Sequence, residues 1–205
     1  DEFFKSLVYE LDFVIEANNM GRIAANLASM PDIVIPKVYK SHSTGKVMTQ
    51  EFLEGIPVND LKAIEAAGVD RRRIVEIGAR AFFKMVILDG LFHGDLHGGN
   101  LFVLPGNKLG MIDFGIVGRL SQKSREQLAG MLLALITEDY EELCYIYADV
   151  NVSGKYVDLE AFQREVQNMI APYVGLSISE LNAGKILIES TRIGARHDIQ
   201  IPGEW

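Results

Sequence analysis

The stretches HGDLHGGN at 93–100 and IDFG at 112–115 contain three side chains that could do chemistry together: Asp95, Asn100 and Asp113. Asp95 and Asn100 stand in D-x-x-x-x-N spacing, and Asp113 follows in the second stretch. Two carboxylates and one amide are hard oxygen donors, the kind magnesium accepts alongside phosphate oxygens. Phosphoryl transfer asks for such a set. The migrating group carries charge that must be neutralised and aimed, and the protein does little covalent work. Asn100 and Asp113 would hold the metal. Asp95 is left to orient an acceptor hydroxyl or water and take its proton. Gly94, Gly98 and Gly99 let the loop bend close to a ligand.

His93 and His97 stand four apart but do not fit a helical zinc pair, because Gly94 follows the first histidine and three glycines oppose a helix. His93 is expected to be a packed, hydrogen-bonded strut of the loop. His97 falls where many protein kinases carry a phosphate-contacting lysine, and a neutral imidazole there is the weaker charge donor.

Particular elements must position these groups. Leu101–Leu104 and Leu109–Ile112 are apolar runs around the turn signal Pro105-Gly106-Asn107-Lys108, and they predict a hairpin with Asn100 at one end and Asp113 at the other. Upstream, apolar residues at helical spacing predict a long helix over Phe3–Met30, with Glu10, Asp12 and Glu16 upon it. A kinase-type fold uses one glutamate of such a helix to pair with a phosphate-binding lysine. Strands are expected over Val34–Ser41 and Lys46–Phe52. The second runs into Glu51-Phe52-Leu53-Glu54-Gly55, which resembles a hinge between lobes. There the Glu51 carbonyl and the Leu53 amide would meet an adenine edge.

Asn59 or Asp60 can cap a helix to about Ala67, and Asp70 one over Arg71–Leu91, with Ile74, Ile77, Gly78, Ala81, Phe82, Met85 and Val86 as its apolar stripe. Further helices are expected from Ser121 to Thr137, over Asp139–Ala148 and over Leu159–Ala171. Ser177-Ile178-Ser179-Glu180 reads as a capping box before Leu181–Ala195. No Ala-Pro-Glu follows the IDFG stretch, so the activation segment is shorter than that of an ordinary protein kinase.

The chain has 205 residues, 48% hydrophobic and 23% charged, enough for a sizeable core in one or two lobes. Its net charge of −8 speaks against nonspecific nucleic-acid binding, which needs basic phosphate contacts. The single cysteine, Cys144, excludes an internal disulfide, fits a reducing compartment and is expected to be a buried structural thiol. No apolar run reaches the ~20 residues that cross a bilayer. Both ends look cut from something longer.

ELDFVIEANN at 10–19, MTQEFLEG at 48–55, FHGDLHGGNLFVLPGNKLGMIDFGIVGRLS at 92–121 and the helical tail resemble the UbiB/aarF-domain atypical kinase family over nearly the whole chain. The resemblance implies an α+β, protein-kinase-like two-lobed fold. A partial N-lobe of helix and short antiparallel strands would span 1–55, and a mostly helical C-lobe 56–205. It implies binding of ATP with Mg2+, and support of ubiquinone or other prenyl-quinone biosynthesis at the cytoplasmic side of a membrane. Implied partners are a membrane lipid or prenyl-quinone precursor and proteins of quinone biosynthesis. By position, Asp95 matches the catalytic-loop aspartate and Asn100 and Asp113 the magnesium ligands. Glu16 matches the helix glutamate, and Glu10 and Asp12 the family's E-x-D residues. Glu51 and Leu53 remain the expected adenine contacts.

Two departures stand out. Gly98 occupies the place of a usual family proline, which should loosen the catalytic loop. The family's nucleotide loop and phosphate-binding lysine lie upstream of the helix, so this fragment alone is expected to bind nucleotide weakly and turn over little. The competing readings are a small-molecule kinase of the aminoglycoside or choline type and a lipid-responsive scaffold that binds nucleotide without transfer. The E-x-D signature and the helical tail favour the first reading.

Overall fold

The computed structural model describes residues 12–173 and 183–201. The chain divides into two compact units, one ending at Arg119 and the other beginning at Leu120. The lobe boundary expected at 55/56 falls inside the first unit.

The first unit opens with helix α1 (Phe13–Asn26). The expected continuous helix does not run through Asp12, whose backbone is extended and whose carboxylate accepts the Val14 N–H at 2.9 Å. Asp12 is thus an N-cap, the role a short carboxylate favours over a helix-interior position. The helix ends at Asn26 rather than Met30. Glu10 lies outside the described residues.

The strands expected over 34–41 and 46–52 reduce to β1 (Ile33–Val34) and two isolated antiparallel bridges, Val38 with Gln50 and Thr44 with Val47. Hydroxyl side chains divert the backbone from a regular ladder there. Thr49 Oγ1 donates to the His42 carbonyl at 2.7 Å, Ser43 Oγ takes the Thr49 N–H at 3.0 Å, and Thr44 Oγ1 takes the Lys46 and Val47 amides. Such local bonds compete with sheet pairing.

After β2 (Ile56–Pro57), helices α2 (Leu61–Ala66) and α3 (Arg71–Phe83) start where expected, capped by Asp60 and Asp70. The α3 geometry does not persist to Leu91. A π-helical turn over Lys84–Asp89 follows, pinned by Lys84 Nζ on both Asp89 oxygens at 2.8 and 3.0 Å. Gly90, at φ 64°, then stops the helix in a left-handed conformation that glycine adopts without strain. Leu91–His93 becomes strand β3, paired antiparallel with β6 (Val117–Arg119), a pairing not expected from local pattern.

The hairpin is as expected. β4 (Leu101–Leu104) and β5 (Lys108–Met111) pair from Leu101–Met111 to Leu104–Lys108. They sit centrally in a sheet of order β1-β5-β4-β2, with β1 parallel to β5. Apolar faces close one core: Met20, Ile23 and Leu27 of α1, Ile74, Ile77 and Ala81 of α3, Val103, Leu109 and Met111 of the hairpin, and Phe114. Phe82, expected in the α3 stripe, is instead 40% exposed.

The second unit is helical: α4 (Gln122–Ile136), α5 (Tyr140–Val150), α6 (Leu159–Ile170) and α7 (Ala183–Arg196). Ser121, Asp139 and Asp158 cap the first three. The capping box at 177–180 lies outside the described residues. Its core includes Met131, Leu143, Tyr147, Phe162, Val166 and Ile193. Tyr147 keeps its hydroxyl satisfied there, 2.7 Å from Ser190 Oγ. Cys144 is buried in this core, and burial pushes its thiol up to about 12. The native protein should therefore resist Ellman's reagent at pH 8 and release its one thiol only on denaturation. Rapid labelling of folded protein would contradict this burial.

Candidate functional site

The loop after β3 is tied at each turn. The His97 N–H donates to the Asp95 carbonyl at 2.9 Å, and the Asn100 N–H to the His97 carbonyl at 3.0 Å. His97 Nδ1 accepts the Gly99 N–H at 3.0 Å. Gly98 donates in none of these bonds, and a Cβ there would stand 3.1 Å from Asn59 Cβ. Gly94 has a positive requirement: its N–H meets the Ile116 carbonyl at 2.9 Å, and a Cβ would fall 2.8 Å from Ile116 Cγ2.

Asp95 and Asn100 come together. Asn100 is buried, and its Nδ2 donates to the Asp95 carbonyl at 3.1 Å and approaches Asp95 Oδ2 at 3.4 Å. Both contacts use Nδ2, so Oδ1 is the atom left for a further ligand. The His97 Nε2 lies 3.6 Å from Asp95 Oδ2.

Asp113 has φ 61°, a left-handed conformation that L residues rarely adopt. The backbone on both sides is fully engaged. The Ile112 N–H donates to the Asn100 carbonyl at 3.0 Å, and the Ile112 carbonyl faces His93 Nε2 at 3.0 Å. The Phe114 N–H donates to Glu16 Oε1 at 3.2 Å, and the Phe114 carbonyl accepts from Asn19 Nδ2 at 3.1 Å. The Phe114 ring packs on His93 with centroids 4.7 Å apart.

His93 is the expected strut. Its Nδ1 accepts the Asp95 N–H at 3.1 Å, so the ring proton sits on Nε2 and is donated to Ile112. Both nitrogens are used, which leaves none for a metal. Burial holds its pKa below the ordinary imidazole range, against the raising pull of the Ile112 carbonyl, Asp113 and Asp95. Glu16 shifts the other way: burial, then the Asp113 carboxylate, push its pKa up, and the Phe114 N–H pulls it partly back. Among the described residues, no Lys, Arg or His is ion-paired with Glu16.

Glu51 and Leu53 line one cleft of about 740 Å³ with Phe102 and Ile112, the residue before Asp113. Glu51 is anchored to Lys37 in both directions, its N–H to the Lys37 carbonyl at 2.8 Å and its Oε2 to the Lys37 N–H at 3.2 Å. Its carbonyl and the Leu53 amide have no backbone partner among the described residues.

The structure thus brings Asp95, Asn100, Asp113 and Glu16 into one connected network and sets Glu51 and Leu53 in the cleft beside it. Asp12 is used as a helix cap. The donor set fits magnesium carried by phosphates, which needs only one or two carboxylates from the protein. Among the described residues, no three His, Cys, Asp or Glu side chains cluster as a closed metal cage. Asn19 stands behind Glu16 in the helix signature at 10–19, but no contact was expected of it. Its signal was a polar amide on the apolar face of α1, beside Met20 and one turn before Ile23.

A model of the ABC1 atypical kinase-like domain matches residues 1–147. A protein of Cronobacter sakazakii described as a probable protein kinase UbiB is 31% identical over 205 residues, covering 98% of this chain and 37% of its own. One of the same description from Actinobacillus pleuropneumoniae is 29% identical, covering 98% of this chain and 38% of its own. The chain therefore spans well under half the length of these relatives. The erythromycin complex of Rv3197 from Mycobacterium tuberculosis superposes with a TM-score of 0.60 at 23% identity, over 97% of this chain and 57% of that one. The α+β fold is kinase-like.

Two pH effects of opposite sign follow. Glu16, with its pKa raised, contributes stability that is complete below the ordinary carboxylate range and lost as pH rises through the raised value. Glu16→Gln keeps an acceptor for Phe114 and should raise the nucleotide-free melting temperature at pH 7 by a few degrees at most, since solvent screens a half-buried carboxylate. The gain should vanish near pH 4. His93, with its pKa lowered, contributes stability that is complete above the ordinary imidazole range and lost as pH falls below it. His93→Phe should cost about 1–3 kcal/mol at pH 7.5 by stranding a buried polar group. It should also flatten the fall in urea midpoint between pH 7 and 5. An unchanged midpoint would rule out the strut.

Proposed function

From the premise that this chain belongs to the ABC1 atypical kinase-like domain family, we propose that it is the core of a UbiB-type, ATP- and magnesium-dependent atypical kinase or ATPase. The observation that carries this reading is the joined placement of Asp95, Asn100 and Asp113. The first two touch at one end of the β4–β5 hairpin. The third is held beside them, where β5 leaves the same open end, by bonds on both its neighbours.

Each residue then has a task. The Glu51 carbonyl and the Leu53 amide take the adenine edge in the cleft floored by Phe102 and Ile112. Asn100 Oδ1 and the Asp113 carboxylate hold magnesium, which when bound neutralises phosphate charge. Asp95 orients the acceptor hydroxyl or water and takes its proton. Glu16 pairs with the phosphate-binding cation and meanwhile braces Phe114. The Glu16 carboxylate stands in the field of Asp113, a repulsive pairing that cations relieve.

The biological role we assign is support of ubiquinone or related prenyl-quinone biosynthesis at the cytoplasmic face of a membrane. A lipid or prenyl-quinone precursor and other proteins of that synthesis would be the partners. The UbiB description of the two bacterial relatives supports the quinone role, while the membrane face and the partners rest on the sequence resemblance. None of the described helices is long and apolar enough to cross a membrane.

The test is calorimetric ATP titration with and without magnesium, and hydrolysis with and without anionic vesicles, on full-length protein. Asp113→Asn should weaken magnesium-dependent ATP binding more than about tenfold. Asp95→Asn should keep binding and lose about 10²–10⁴ in turnover. Vesicles should stimulate the wild type. ATP affinity indifferent to magnesium and to Asp113→Asn would refute the site. Efficient transfer to choline or an aminoglycoside would replace the proposed role.

A further inference from the structure

Asn19 has no task in the mechanism above, yet it is a buried amide, 5% exposed, on the core-facing side of α1. Its Nδ2 donates to the Phe114 carbonyl at 3.1 Å. Glu16, nearly one turn earlier on the same helix, accepts the Phe114 N–H at 3.2 Å. Residues three apart on a helix share a face. The two side chains therefore grip both backbone polar groups of the residue after Asp113.

That grip matters because Asp113 is left-handed at φ 61°. An L residue keeps this conformation only where its surroundings enforce it. Release of Phe114 would let the backbone relax and carry the Asp113 carboxylate with it.

The two halves of the grip differ in chemistry. Glu16 is ionisable, stands in the field of Asp113 and is the group that a phosphate-binding cation would engage. Asn19 is neutral, and its side chain donates to the Phe114 carbonyl. We propose that Asn19 is the charge-independent positioning residue of the magnesium site, keeping Asp113 in its left-handed conformation whatever Glu16 is paired with. This rests on the reading of Asp113 as a magnesium ligand.

The experiment separates metal from nucleotide. Full-length protein is titrated with magnesium at fixed fluorescent ATP analogue, and the analogue's affinity is also measured in EDTA. Asn19→Leu should raise the magnesium midpoint about tenfold, as loss of a supporting contact does at metal sites. Its metal-free nucleotide affinity should stay within about twofold of wild type on the same reasoning. Hydrogen exchange of a metal-free peptide covering 112–116 should speed up. Asn19→Asp keeps the volume and replaces the donor by an acceptor, and it serves if the leucine variant does not fold. An unchanged midpoint in a folded variant, where Asp113→Asn raises it, overturns the role of Asn19 alone. Equal losses with and without metal overturn it too, marking Asn19 as general packing. An unchanged midpoint in Asp113→Asn overturns the magnesium reading and this inference together.

Discussion

A single strained residue organises the first unit. Asp113 holds a left-handed backbone, and four hydrogen bonds on its two neighbours keep it there. These bonds come from separate places: α1 through Glu16 and Asn19, the end of β3 through His93, and the loop after β3 through the Asn100 carbonyl. A conformation unfavourable by itself persists because three elements oppose its relaxation at once. The same residues thread the site together. His93 joins the Asp95 amide to the Ile112 carbonyl, so displacement of one motif is felt by the other.

The electrostatics work in the opposite direction. The pKa of Glu16 is raised by burial and by Asp113, and among the described residues it meets the Phe114 N–H and no ion-pair partner. The fold therefore spends stability to gather negative charge, and cations bound with phosphate would recover it. His93 is kept neutral by burial, which suits a strut that must accept at Nδ1 and donate at Nε2. A protonated ring would lose the Asp95 contact.

Much of this was legible in the chain because its causes are local. Asp60, Asp70 and Ser121 cap helices where their side chains predict. The hairpin follows from two apolar runs around Pro105-Gly106-Asn107, and it sets Asn100 and Asp113 at its ends. Elsewhere the local pattern pointed the wrong way. Helical periodicity around Asp12 hid a cap, since spacing alone does not register a side chain bonding its own backbone. Apolar residues at 84–91 read as helix until Gly90, where a left-handed turn and pairing with β6 make Leu91–His93 a strand.

By itself, the sequence determined which chemistry is present: hard oxygen donors at D-x-x-x-x-N spacing, a second aspartate beyond a hairpin, and a glutamate on an upstream helix. Residue type and short-range spacing suffice for that, because donor hardness and hairpin reach are properties of side chains and short segments. Only the tertiary structure decided which atoms face which. That Glu16 and Asn19 grip Phe114, and that His93 Nε2 reaches the Ile112 carbonyl, are contacts between distant segments. They arise from packing, which no window of sequence contains.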